Sequence, residues 1–313
     1  MGDSFGVERV FGAGVLLFAI GGISVAIAPN DLVLLTGRAV QGAGGGLFSP
    51  LVPVLLTRAQ PNAPGKILML WGSAVGFVAS GAPAMAGLLI ADIGWRPVAL
   101  LIALGAVPGV LLIASNSNCR AHKNPTLANR KATFLNRNAV AMFLYIFATY
   151  GVVSLFIFAI PVRVSDLRLP VDTTGLVLAT FWFCFASSGL VLQKYTDKGF
   201  LRVMLIFAAV FLGAGFGIAF QFDGMSPLFF GACFGGIGFA LCNAPSTQAV
   251  LKVFPQDKSA KAASLDIVFA RCGSVAVVWS LASLTVSLDL SGIWFLVGFS
   301  VLLAFFYNEP STV

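Results

Sequence analysis

Gly37-Arg38-Ala39-Val40-Gln41-Gly42-Ala43-Gly44-Gly45-Gly46 places one guanidinium inside a run that is otherwise uncharged from Leu32 to Leu56. A helix needs about 20 predominantly apolar residues to cross a bilayer, and this run supplies them. Arginine stays protonated at any working pH, and its charge is costly at membrane depth. Residues of this kind face a bundle interior or a wet path, so Arg38 points to a polar pathway between helices. The glycines that follow let a neighbouring backbone approach closely.

The rest of the chain agrees with a membrane protein. Of its 313 residues, 58% are hydrophobic and 10% charged, and the mean hydropathy is +0.94. Soluble domains carry about 25% charged residues. A water-facing fold of this composition would expose a very large apolar surface. The net charge of +7 would suit nucleic acid, but the basic residues fall in short segments between apolar runs and read as topology signals. No nucleic-acid partner is expected.

The cysteines are Cys119, Cys184, Cys233, Cys242 and Cys272, with no C-x-x-C pair. Four lie in apolar runs and are expected to be small packing residues. The single histidine, His122, lies in a polar loop. No zinc-binding cluster or Ser/His/Asp set stands out, so no cofactor, metal or enzymatic activity is expected. The first apolar run, Val10 to Ala28, is followed by Pro29 and preceded by Asp3 and Glu8, which argues against a cleaved signal peptide.

Apolar runs predict an all-α, polytopic protein of about ten spans, near 10–28, 32–56, 66–90, 97–115, 139–161, 172–192, 201–221, 226–250, 263–287 and 290–308. An even number puts both termini on one side. Fourteen basic residues, among them Arg58, Lys66, Lys194 and Lys252, then fall on the side of the termini, against Arg96, Arg163 and Arg168 opposite. The positive-inside rule makes the first side cytoplasmic. The polar stretch Asn116 to Asn138 reads as a cytoplasmic linker. It divides a bundle of four spans (1–115) from one of six (139–313).

These residues resemble a known family. Arg38-Ala39-Val40-Gln41-Gly42-Ala43-Gly44 resembles the fourth-helix motif R-x-x-Q-G-x-G of the major facilitator superfamily. Gly72, Gly76, Gly81, Pro83 and Gly87 resemble the fifth-helix antiporter motif, with Ala82 and Ala86 in place of two glycines, and Trp95-Arg96 resembles the pair that opens the next helix. Asp3, Gly6 and Arg9 resemble the end of the loop motif between helices two and three, although Val7 and Glu8 replace basic residues. Asp197 and Gly199 resemble its second copy. Ala270-Arg271-Cys272-Gly273-Ser274 resembles a segment of the drug:proton antiporter branch. Aligned in this way, the chain is expected to begin between the family's second and third helices, so four plus six spans stand for six plus six, either because Met1 is not the true start or because the transporter is truncated.

The resemblance implies a two-bundle transporter in the cytoplasmic membrane, exporting drug-like or amphipathic small molecules in exchange for protons. Arg38, Asp266 and Arg271 are the expected proton-coupling residues. Structural pairing of Arg38 with carbonyls, and snorkelling of Asp266 to water, are the alternatives. Gln41, Tyr145, Thr149, Asn243 and Gln248 are expected to line the substrate cavity, although polar helix–helix contacts explain them about as well. Two other functions stay open: a truncated, non-transporting partner subunit or remnant, and a metabolite symporter. The oligomeric state is left undetermined by the sequence.

Overall fold

The computed structural model describes residues 6–105, 137–170, 172–255, 258–283 and 290–307. Among these residues there is no strand. Among the described residues eleven helices follow one another: α1 (Val7–Ala26), α2 (Asp31–Phe48), α3 (Leu51–Ala59), α4 (Pro64–Ile93), α5 (Trp95–Leu104), α6 (Arg137–Asp166), α7 (Asp172–Leu192), α8 (Leu201–Gln221), α9 (Met225–Val253), α10 (Ser259–Ser283) and α11 (Leu290–Phe306). In hydrocarbon every backbone N–H and C=O needs an internal partner, and the helix provides it.

Among the described residues, eight stretches are long and apolar enough to cross a membrane, with α2 and α3 counted as one, Asp31–Ala59. Trp95–Leu104 and Gly292–Phe306 are shorter apolar helices. Every expected span therefore carries a helix. The second span is not continuous, because the chain turns at Ser49 and Pro50 before α3 begins. Pro50 and Pro53 have no N–H to donate and crowd the preceding turn, which sequence hydropathy does not register. Most of the expected linker lies outside the described residues, as does the end of the fourth span.

The chain forms two compact units. One comprises residues 1–55, 84–131 and 255–264, the other 56–83, 132–254 and 265–313. In the first unit, α1 lies between α2 and α5. Gly14 and Gly21 on α1 face Gly44 and Gly37 on α2, each pair seven residues apart. A Cβ at Gly21 would strike the Gln41 amide nitrogen and stand 2.7 Å from the Gly37 carbonyl oxygen. A Cβ at Gly44 would strike the Phe18 nitrogen and stand 2.6 Å from the Gly14 oxygen. The two backbones touch, and dispersion contacts replace the hydrophobic drive that lipid does not supply. Phe48 closes the same seam edge-on against Phe11 and Phe18, with centroids 5.9 and 5.6 Å away.

In the second unit, α9 packs α8 on one face and α7 on another. Polar ties join α6 to its neighbours: the Tyr145 hydroxyl donates to the Leu205 carbonyl of α8 at 2.7 Å, and Ser154 donates to Ser274 of α10 at 2.7 Å. At one end of α6, Arg163 pairs with Asp223 at 2.8 Å. An aromatic core runs through the unit. Phe181 stacks on Phe156 at 5.5 Å and on Phe239 at 6.1 Å, and Phe185 stacks on Phe239 at 4.8 Å.

Candidate functional site

In the first unit, Arg38 is exposed on α2 and donates from Nη1 to Gln41 Oε1 at 2.9 Å. The spacing of three residues puts both side chains on one helix face. Asp31 lies two turns away at the start of α2, and no carboxylate pairs with Arg38 among the described residues. The guanidinium therefore keeps most of its donors free. The motif's glycines are unequal: Gly44 makes the backbone contact with α1, whereas a Cβ at Gly42 would meet nothing within 4 Å.

In the second unit, Asp266 is 5% exposed, and Thr247 of α9 donates to its Oδ2 at 2.7 Å. Asp266 lies seven residues into α10, about 10 Å from the helix start at a rise of 1.5 Å per residue. The Tyr150 hydroxyl of α6 and the Cys242 thiol of α9 lie within electrostatic reach of the carboxylate. Arg271, five residues further along the same helix, is exposed and makes no hydrogen bond to it. The Thr149 hydroxyl donates to the Tyr145 carbonyl at 2.8 Å, so the hydroxyls of Thr149 and Tyr145 are both spent on the helix framework.

A small cleft with room for about one water molecule lies between α4, α7 and α9, lined by Met69, Gly72, Ser73, Phe185, Gly189, Ala240, Asn243 and Ala244. Here the structure brings Gly72 and Asn243 together. Ser73, which the sequence did not single out, is 2% exposed and its hydroxyl has no partner. Gly72 and Gly76 pack on Phe185 of α7, while a Cβ at Gly81 would meet nothing within 4 Å. The helix runs on past Pro83 and Gly87 without a break.

The expected cavity residue Gln248 lies elsewhere. Its Nε2 donates to Asp197 Oδ1 at 2.8 Å, in the turn between α7 and α8. The same carboxylate accepts the Gly65 N–H on Oδ1 and the Lys66 N–H on Oδ2, each at 2.9 Å. Asp197 thus caps α4 from far along the chain. It satisfies orphan donors behind Pro64 and sets a negative charge at the positive end of the helix dipole. Gly65 has no room for a side chain, since a Cβ would stand 2.6 Å from Gln248 Oε1 and 2.8 Å from Asp197 Oδ1. Gly199 closes the turn at φ +80°, a conformation glycine adopts freely. Of the first loop motif, Gly6 begins α1 at φ +91°, Arg9 is exposed in its first turn, and Asp3 lies outside the described residues. Replacing Asp197 by Ala is expected to keep the helical content and lower the thermal midpoint in detergent. The loss is about 1–2 kcal/mol, the cost of deleting a cap. Unchanged melting would show that the clasp contributes nothing.

Eight stretches among the described residues that are long and apolar enough to cross a membrane define a polytopic membrane protein. A family model described as Major Facilitator Superfamily matches residues 1–162 and again residues 142–312, and the chain belongs to that family. It is similar to the multidrug resistance protein B homolog of Mycobacterium tuberculosis, at 39% identity over 95 residues (30% of this chain, 18% of the relative). It is also similar to the drug efflux pump JefA of the same organism, at 37% over 118 residues (36% and 23%). The tetracenomycin C resistance and export protein of Streptomyces glaucescens shares 30% over 131 residues (40% and 24%). Each match spans less than a quarter of the relative. Among solved structures, the fold resembles a double-tryptophan mutant of XylE, with TM-score 0.73 and 17% identity over 98% of this chain and 82% of that one. It also resembles the human organic anion transporter MFSD10, with TM-score 0.76 and 14% identity over 98% and 78%.

Proposed function

We propose that the chain carries out proton-coupled export of amphipathic small molecules by alternating access, with both termini cytoplasmic. The observation that carries this is Asp266, a carboxylate held away from water inside a span by one threonine hydroxyl. Ionisable groups at such depth are rare and mark proton or substrate paths. Protonation of Asp266 alternates with substrate binding, and rocking of two helical bundles about a midplane site exposes each side in turn. The lining of the cleft suits a substrate that is mostly apolar. Phe185 offers a flat face, while Ser73 and Asn243 supply the few polar anchors such sites use. The naming of the relatives as resistance and efflux proteins supports the same substrate class and the direction of flux. The basic residues gathered on one side of the spans support the orientation.

The test is flux in liposomes holding the purified chain, with an amphipathic fluorescent cation as substrate. An imposed pH gradient is expected to drive the dye against the proton flow. Movement of dye and protons in the same direction would favour symport, and no flux under any gradient would refute transport. In the same assay Arg38→Ala is expected to slow driven flux roughly tenfold, the worth of one hydrogen bond to a charged group. Arg38→Lys is expected to recover only part, because a point charge lacks the planar fork that reaches Gln41. Equal flux in Arg38→Ala and the parent would assign Arg38 to structure alone.

A further inference from the structure

Cys184 on α7 and Cys233 on α9 belong to neither the carboxylate, the cleft nor the clasp. The two helices meet backbone to backbone at Gly236: a Cβ there would strike the Phe181 carbonyl and stand 3.0 Å from Cys184 Cβ. Cys233 precedes Gly236 by three residues, on the same face of α9. Its thiol lies within electrostatic reach of that of Cys184. Both thiols are free, and both are half-buried. Phe183, next to Cys184 in the chain, and Phe230, three residues before Cys233, are exposed, at 54% and 62%.

We propose that Cys184 and Cys233 form a dithiol site that chelates soft, thiophilic electrophiles with two exchangeable bonds, of which an aryl arsenical(III) is the type. With phenylarsine oxide, two S–H bonds break and two As–S bonds form. The two protons leave with the oxide oxygen as one water, and arsenic stays trivalent, so no oxidant or reductant is needed. The second sulfur reacts intramolecularly, and its high effective concentration holds the arsenic against free monothiols. The aromatic surroundings admit the aryl group and exclude charged competitors. A single thiol cannot chelate in this way. Cys242 is fully buried against Thr149, and Cys272 is exposed on α10. Bridging would tie α7 to α9 one residue from Phe185, a wall of the cleft.

The experiment treats the purified chain with phenylarsine oxide, washes it with excess glutathione and reads intact mass. The parent chain, and a variant carrying Cys119→Ser, Cys242→Ser and Cys272→Ser, are each expected to retain one phenylarsenic group. Each should release it to 2,3-dimercaptopropanol. Cys184→Ser and Cys233→Ser, both checked for monodisperse elution, are each expected to retain none. Retention by either folded single variant, or failure of the folded parent to retain the group, would overturn the proposal. If a single variant fails to fold, retention or loss by the triple variant decides it.

Discussion

Asp266→Asn is expected to fold like the parent and to lose proton-driven transport. The amide has the shape of the carboxylate, and its carbonyl can still accept the Thr247 hydrogen bond that Asp266 Oδ2 accepts at 2.7 Å. What it lacks is a titratable proton site. In one-for-one exchange, a gradient of one pH unit is worth about 1.4 kcal/mol, enough for about tenfold accumulation of substrate. The variant should equilibrate substrate without accumulating it, so the tenfold ratio falls to one. Thr247→Ala tests the neighbour. It removes the donor to Asp266 but leaves the carboxylate, so coupling should persist with a displaced pH dependence. Accumulation by Asp266→Asn at the level of the parent would remove Asp266 from the coupling scheme and leave Arg38 and Arg271 as the remaining intramembrane candidates.

Gly273→Leu is expected to be the most damaging single substitution in the second unit. A Cβ at Gly273 would overlap the Phe147 carbonyl oxygen and come within 2.7 and 2.8 Å of the carbonyl carbon and Cα of the same residue. These are backbone atoms of α6, so no rotamer change relieves the clash and the helices must part. Parting them also stretches the Ser154–Ser274 hydrogen bond of 2.7 Å. Overpacking of a rigid core costs about 1–3 kcal/mol per added group, and leucine adds several. The variant should be lost from the monodisperse peak in size exclusion, with Gly273→Ala intermediate. Gly42→Ala is the control, because open space surrounds that position. Normal elution of Gly273→Leu would mean that α6 and α10 can separate at little cost.

The helices were legible because hydropathy and length suffice for them, and the family was legible from Arg38, Gln41 and the glycines around them. Which motif glycine packs was not legible. Gly42 and Gly44 look equivalent in sequence, yet only Gly44 faces Gly14 and Phe18. Gln248 shows the same limit. A glutamine inside an apolar run reads as cavity lining, and periodicity cannot show that its partner is a carboxylate in a distant turn. Cys184 and Cys233 lie on different helices, so spacing along the chain could not pair them. Ser73 gave no signal at all, because a serine among glycines in a span is ordinary until its hydroxyl is found without a partner.

The clasp on α4 also bears on how the protein is made. The Gly65 N–H waits for an acceptor 132 residues further along the chain. At translation rates of about 5–20 residues per second, Asp197 leaves the ribosome about 7–26 seconds after Gly65 does. Over that interval the start of α4 has no side-chain cap, and its N–H groups rely on water or lipid headgroups at the membrane surface. Insertion of α4 therefore precedes its anchoring. The finished contact records that the α7–α8 turn has arrived, and a slow ribosome or an early nascent-chain release would leave that helix end open.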